Sequence, residues 1–384
     1  MKGLLGIAVA LLGGLALGAC EGSQEPAPQP PAEATHSIMN EIYEQIRAAL
    51  LASASADGLR HPENREEVAS ALAALARNAS ALEDHARVGD GPMEFLARSA
   101  ARDARDVQRE YANGHFDRAA FLLRQITENC VVCHTRLESQ GDSLMAAGFV
   151  DPSTLDSLPL EPRATLQIAT RRFDEALATL EDLLGSPAVH AAILLGPITD
   201  YLVVCIRVKG DFERPLPTLE RFAARPDLWT RLRMEVGGWI AALPELRKRA
   251  RGKPDLTTAR ALVEEAQQLS LYPDDRTPLV HLVVASSLLE RYIDEHRSPG
   301  RDLAEAYYLL GVTEAHIGRN YWVTQAPYLL EQAIRLAPKE PFATDAYALL
   351  ERETLMSYEG SDWEDLPEED AQRLRELRRL IEQG

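Results

Sequence analysis

Residues 119–137 read AAFLLRQITENCVVCHTRL. Ala119, Leu123, Ile126, Cys130, Cys133 and Leu137 recur at intervals of three and four, the spacing that aligns side chains along one face of an α-helix. Three upstream stretches carry the same period. Ile38, Ile42, Ile46 and Leu50 recur every four residues, with Met39 and Tyr43 beside them. Val68, Leu72, Leu75, Ala79 and Leu82 make a second stripe after Pro62, whose fixed φ suits a helix start. Leu96, Ala100, Ala104, Val107 and Tyr111 make a third, stopped at Asn113-Gly114. Short breaks at Asp57-Gly58 and at 88–92 separate the stripes. Four amphipathic helices with short connections predict an antiparallel four-helix bundle over 36–150, in a chain that is all-α.

Inside the fourth stripe, Cys130-Val131-Val132-Cys133-His134 fits the pattern for covalent attachment of a c-type haem. Positions i, i+3 and i+4 share a helix face, so both thiols and the imidazole point the same way. Two thioether bonds then fix one haem c, and His134 supplies the proximal nitrogen to its iron. A redox Cys-x-x-Cys belongs at a helix start after a strand, and no strand pattern precedes this one. A zinc site needs further ligands at comparable spacing, and none is found in the sequence.

An attachment motif in the last helix of an exported four-helix bundle resembles the class II cytochromes c, the cytochrome c′ and c-556 group. Class I cytochromes attach haem near the N-terminus and take a methionine from a loop far downstream. Here about 95 domain residues precede the motif, and the next methionine, Met145, is only eleven residues past His134. The family often has a basic residue within the motif and an aromatic-Arg pair after it; this chain has Val131-Val132 and then Thr135-Arg136-Leu137. The resemblance implies that Met39, on the first helix, is the distal iron ligand. His36, one turn earlier, is the second candidate, and Met93 is expected in a loop after Pro92. His61, His85 and His115 lie near helix ends and read as surface residues. Met/His ligation closes the iron and suits single-electron transfer, making the protein an electron carrier rather than an enzyme. An open distal position would instead imply a cytochrome c′-like module that binds NO or CO. A third reading is a non-redox assembly scaffold in which haem stabilises the bundle.

The ends of the chain give an address and a docking platform. Met1-Lys2 precedes the apolar run Gly3–Ala19, short and glycine-rich for a membrane span and suited to a signal peptide over 1–19. It ends Leu17-Gly18-Ala19-Cys20, which resembles a bacterial lipobox, with Cys20 as the lipidated residue. Glu21 at the next position favours the outer membrane by the same resemblance. Residues 20–35, with four prolines between Glu25 and Glu33, read as a tether, reaching about 45 Å when extended. Past a Pro-containing break, 160–358 is expected to be an α-solenoid of degenerate tetratricopeptide-like repeats. Ala304–Gly311 resembles the first helix of such a repeat, and Pro338 lies 34 positions after Ala304. Arg172-Phe173-Asp174-Glu175-Ala176 and Lys209-Gly210-Asp211-Phe212-Glu213 resemble its turn, although Phe212 follows Phe173 by 39 positions. Residues 359–384 form a charged tail, with Leu377, Leu380 and Ile381 marking a capping helix.

The formal charge of −18 argues against nucleic acid as a partner. No lysine lies between Lys2 and Lys209, so a redox partner protein would have to be steered by arginines such as Arg98, Arg102, Arg105 and Arg109. A second protein partner is expected on the repeat domain, and the membrane is reached only through the lipid anchor. Cys205, in Tyr201-Leu202-Val203-Val204-Cys205-Ile206, reads as a buried free thiol. These features together place the protein on the periplasmic side of a bacterial cell envelope.

Overall fold

The computed structural model describes residues 32–53, 58–87, 91–136, 155–271, 275–318, 325–356 and 366–383; Cys20, the signal run and nearly all of the tether lie outside them. Among the described residues the secondary structure is entirely helical, with no strand.

Four long helices form the N-terminal unit: α1 (Ala32–Ser53), α2 (Arg65–Ala86), α3 (Gly91–Ala112) and α4 (Phe116–Arg136). Each packs on the next, and α1 also packs on α4. The apolar stripes read from the sequence are their inner faces, with Ile46, Leu72, Leu75, Ala104, Val107 and Leu123 deep in one shared core. Two boundaries differ from expectation. Helix α1 starts at Ala32, directly after the last proline of the tether. Pro62 opens a single 3-10 turn, Pro62–Asn64, and α2 starts only at Arg65.

Eleven further helices follow among the described residues. They are α5 (Leu160–Ala169), α6 (Phe173–Gly185), α7 (Leu195–Val203), α8 (Pro215–Ala223), α9 (Thr230–Ala250), α10 (Leu256–Leu269), α11 (Leu279–Glu295), α12 (Arg301–Ile317), α13 (Ala326–Leu336), α14 (Pro341–Met356) and α15 (Glu368–Gln383). Most pack on their neighbours in sequence, and α15 closes over α13 and α14 with Leu377 fully buried. Trp239, Tyr201, Phe173 and Phe222 fill the larger core. One described helical stretch, Ala191–Val208, is apolar and long enough to cross a membrane, but 67% of it is buried in this core, which accounts for its hydropathy. Helices α12 and α13 approach closely at Gly311, where a Cβ would sit 2.8 Å from the Leu330 side chain. Glycine is needed there because the gap admits no methyl group.

The two cores meet on α4. Its Ile126 and Leu123 belong to the N-terminal core, whereas Val131 belongs to the larger one. In return, Leu155, Leu158 and Leu166 from beyond the motif pack into the N-terminal core. Helix α5 lies directly on α4.

Candidate functional site

Cys130, Cys133 and His134 occupy the last two turns of α4. Hydrogen bonds on other faces of that helix fix its setting. Asn129 donates Nδ2–H to Asp103 Oδ2 on α3 at 2.9 Å, and burial raises the Asp103 carboxyl above its ordinary value, against the pull of Arg102. Thr135 donates its hydroxyl to the Val131 carbonyl at 2.7 Å, the usual way a threonine satisfies itself inside a helix. With Val131 and Thr135 buried on one side, the two cysteines and the histidine keep a common, half-buried side.

Neither cysteine is in a disulfide. Cys130 borders the N-terminal core, its thiol directed at the Ile126 carbonyl at 3.9 Å. Cys133 Sγ lies 3.9 Å from Met93 Sδ. The His134 Nδ1 is buried and has no hydrogen-bond partner among the described residues. Loss of solvation, with a smaller push from the Arg171 guanidinium, lowers the His134 pKa to about 4. The ring is therefore neutral at physiological pH, the state in which an imidazole binds a metal.

Arg171 comes from outside the N-terminal unit, in the turn from α5 to α6. Its backbone is left-handed, with φ 56°. Arg171 N–H bonds to the Ile168 carbonyl at 2.9 Å and Arg172 N–H to the Gln167 carbonyl at 2.8 Å, the pair of bonds that ends a helix through a left-handed residue, ordinarily glycine. An L-residue pays roughly 1 kcal/mol for that conformation. In the similar turn at Lys209–Phe212, the corresponding place, two before the phenylalanine, is Gly210, with φ 61°. The arginine was not singled out from sequence, although the missing glycine in a glycine-type turn was a readable signal.

The other expected residues are distributed as follows. Thr35 Oγ1 meets His85 Nε2 at 2.6 Å and Cys133 meets Met93, so one end of the unit gathers the starts of α1 and α3 with the ends of α2 and α4. Met39 is at that end, half-buried against the core that Cys130 also borders. His36 lies one turn before it and is half-buried. Met93 is not in a loop: α3 begins at Gly91, with Pro92 in its first turn, where a missing N–H costs nothing. His61 caps the 3-10 turn by accepting from Glu63 N–H at 3.3 Å, and His115 pairs with Glu110 at 2.8 Å. The arginine row is neutralised locally: Arg98 by Glu94, Arg102 by Asp103, Arg105 by Glu83 and Arg109 by Asp106. Cys205 is fully buried.

Among the described residues no group of three or more His, Cys, Asp or Glu side chains converges to hold a bare metal ion. A cleft of about 450 Å³ opens at the other end of the unit, lined by Arg65, Leu72, Tyr111 and Phe116, and takes no part in this arrangement. No protein-family model, no curated protein and no solved structure matches the chain.

Proposed function

We propose that the chain is a lipid-anchored, periplasmic monohaem c-type cytochrome that passes single electrons, with its helical C-terminal part serving as the docking platform for a protein partner. The observation that carries the reading is the His134 ring. A buried imidazole nitrogen with no hydrogen-bond partner among the described residues, on the same helix as two half-buried cysteines that are in no disulfide, is costly unless a further group joins the site. The residues present fit a haem: two thiols for thioether bonds, a neutral imidazole, and an apolar core beside them. The three side chains lie within about one turn on one helix face, and among the described residues no further His, Cys, Asp or Glu joins them to hold a bare ion, which suits a haem better than a four-coordinate zinc ion.

Haem bound here would supply a one-electron iron couple. Cys130 and Cys133 would fix its edge, and His134 would hold the iron from the α4 side. Met39, at the same end of the unit and bordering the same core, would be the second residue to hold the iron, and its soft thioether would favour the reduced state. The Asn129–Asp103 bond would hold the α4 register while the oxidation state changes. The four packed helices support the reading as a four-helix bundle, and the close α12–α13 approach at Gly311 supports repeat-like stacking beyond it. The cleft of about 300 Å³ lined by Gln267, Ser270, Leu271, Leu282, Val312 and His316, of mixed polar and apolar character, is where a partner segment would lie, since Leu271 stands 85% exposed at its edge. Cys20 would carry the lipid.

A visible spectrum of the reduced, purified protein tests the proposal. A six-coordinate, low-spin spectrum unchanged by CO is expected. A high-spin spectrum that shifts on adding CO would replace electron transfer with gas binding, and a chain free of haem after expression with the attachment machinery would end both readings.

A further inference from the structure

The cleft at the end of the four-helix unit away from Cys133 serves none of the roles assigned above. The start of α2, the end of α3 and the start of α4 enclose a volume of about 450 Å³, within the range of small-molecule sites. Helix α4 carries 21 residues, so about 30 Å of helix separates this end from the motif. The floor is apolar and aromatic. Leu72 is fully buried and Tyr111 nearly so. The Tyr111 and Phe116 rings meet edge to face, with centroids 5.3 Å apart. Tyr111 donates its hydroxyl to the Arg65 carbonyl at 3.3 Å, which fixes its ring.

The rim is polar, and its charge is of one sign. Arg65 is the one charged residue among those that line the cleft. Its guanidinium stands over the Phe116 ring, 5.4 Å from the centroid, and among the described residues it enters no ion pair. Gln108, half-buried in the wall, makes no side-chain hydrogen bond among the described residues. Glu66 and Glu67 share the first turn of α2 with Arg65 but do not line the cleft. Glu110, near the end of α3, is engaged by Arg109, His115 and Arg118. An exposed guanidinium held over a ring suits a planar carboxylate, and aromatic walls suit a flat ring packed edge-on or offset against them.

We propose that this cleft binds a small aromatic carboxylate, its ring against Tyr111 and Phe116, its carboxylate on Arg65, and the Gln108 amide as a second polar contact. The site does not depend on the haem reading, because it lies at the opposite end of the unit and uses none of the motif's residues. Ring burial supplies affinity, and Arg65 selects for the negative charge. A neutral ring of the same size keeps the burial alone, and a polyanion finds only one cation.

Isothermal titration calorimetry of the full-length chain with 2-naphthoate tests the proposal, with 2-naphthamide as the uncharged ligand of the same shape. Wild type is expected to bind naphthoate at one site, about tenfold more tightly than the amide, the weight of one partly exposed charged contact. Arg65→Gln should bring the two ligands to equal affinity. Ala69→Phe, which fills the cleft from its exposed wall on α2, should weaken both. Thermal melts establish that the two variants remain folded. Absence of saturable naphthoate binding by wild type, or a naphthoate affinity unchanged in either variant, would overturn the proposal. Haem content has no bearing on either result, so the electron-transfer reading stands or falls separately.

Discussion

Replacing Arg207 with methionine should cost more stability than any surface change in this chain. Arg207 lies in Val204–Val208, a π-helical turn that extends α7. Its side chain is 6% exposed and meets Glu314 of α12 at 2.6 Å and Glu290 of α11 at 3.6 Å, with a further bond to Ser286 at 2.6 Å. At an effective dielectric near 20, unit charges about 4 Å apart attract by about 4 kcal/mol. Two such pairs are offset by the several kcal/mol that desolvating the guanidinium costs, which leaves a net loss of about 3–5 kcal/mol when the cation alone is removed. Methionine fills most of the space, so the loss reflects two glutamates left facing each other without a cation. In the variant the folded chain would hold a carboxyl proton more tightly than the unfolded chain does, so its stability should fall as pH rises and recover on acidification. Urea unfolding followed by circular dichroism at pH 8 and pH 5.5 measures both quantities. Arg207→Met with Glu314→Gln should regain part of the loss at pH 8. A loss below about 1 kcal/mol, or one that grows on acidification, would refute the reasoning.

Gly311→Ala should lower stability by about 1–3 kcal/mol through overpacking against Leu330, and Leu330→Ala in the same chain should relieve part of it; thermal melts of the three variants decide. Met39→Leu conserves volume and should cost under about 1.5 kcal/mol while converting the spectrum to a CO-sensitive form, whereas Met93→Leu should leave the spectrum six-coordinate. Burial pushes the Cys205 thiol up to about 12, so the native, matured protein should take up no iodoacetamide at pH 8, and the denatured protein one equivalent, at Cys205; labelling at Cys130 or Cys133 would contradict the thioether assignment. The Arg225 guanidinium and the Ala191 N–H hold the Asp227 pKa down at about 2. Its contribution is therefore present above pH 3.8 and lost as the pH falls through about 2, and Asp227→Asn should flatten the stability profile across that interval in denaturation measured from pH 5 to pH 2.

The helices α1 to α4 were legible because their stripes are long and regular and because Asn113-Gly114 separates α3 from α4. Cys130, Cys133 and His134 were legible as a unit because helix geometry alone puts i, i+3 and i+4 on one face. The sequence pattern puts Met93 in a loop because a proline can break a helix; in the first turn, where Pro92 stands, it instead starts one. The roles of Arg171 and Arg207 could not be read from periodicity. Arg207 looks like a lapse in an apolar run, and its two acceptors lie 83 and 107 positions downstream. Arg171 looks like one more solvated arginine until the fold brings α5 against α4. Contacts between distant segments depend on which helix stacks on which, and a local period carries no record of that.

Helix α4, with Val131 in one core and Ile126 in the other, also orders events in time. On the haem reading, covalent attachment would require both thiols to be reachable, and α5 lies along that helix. On that reading modification would precede the docking of α5, and the attachment machinery would act on a chain whose latter half has not yet settled. Circularly permuting the chain to begin at α5 would remove that interval and should yield a folded product with a lower occupancy of haem.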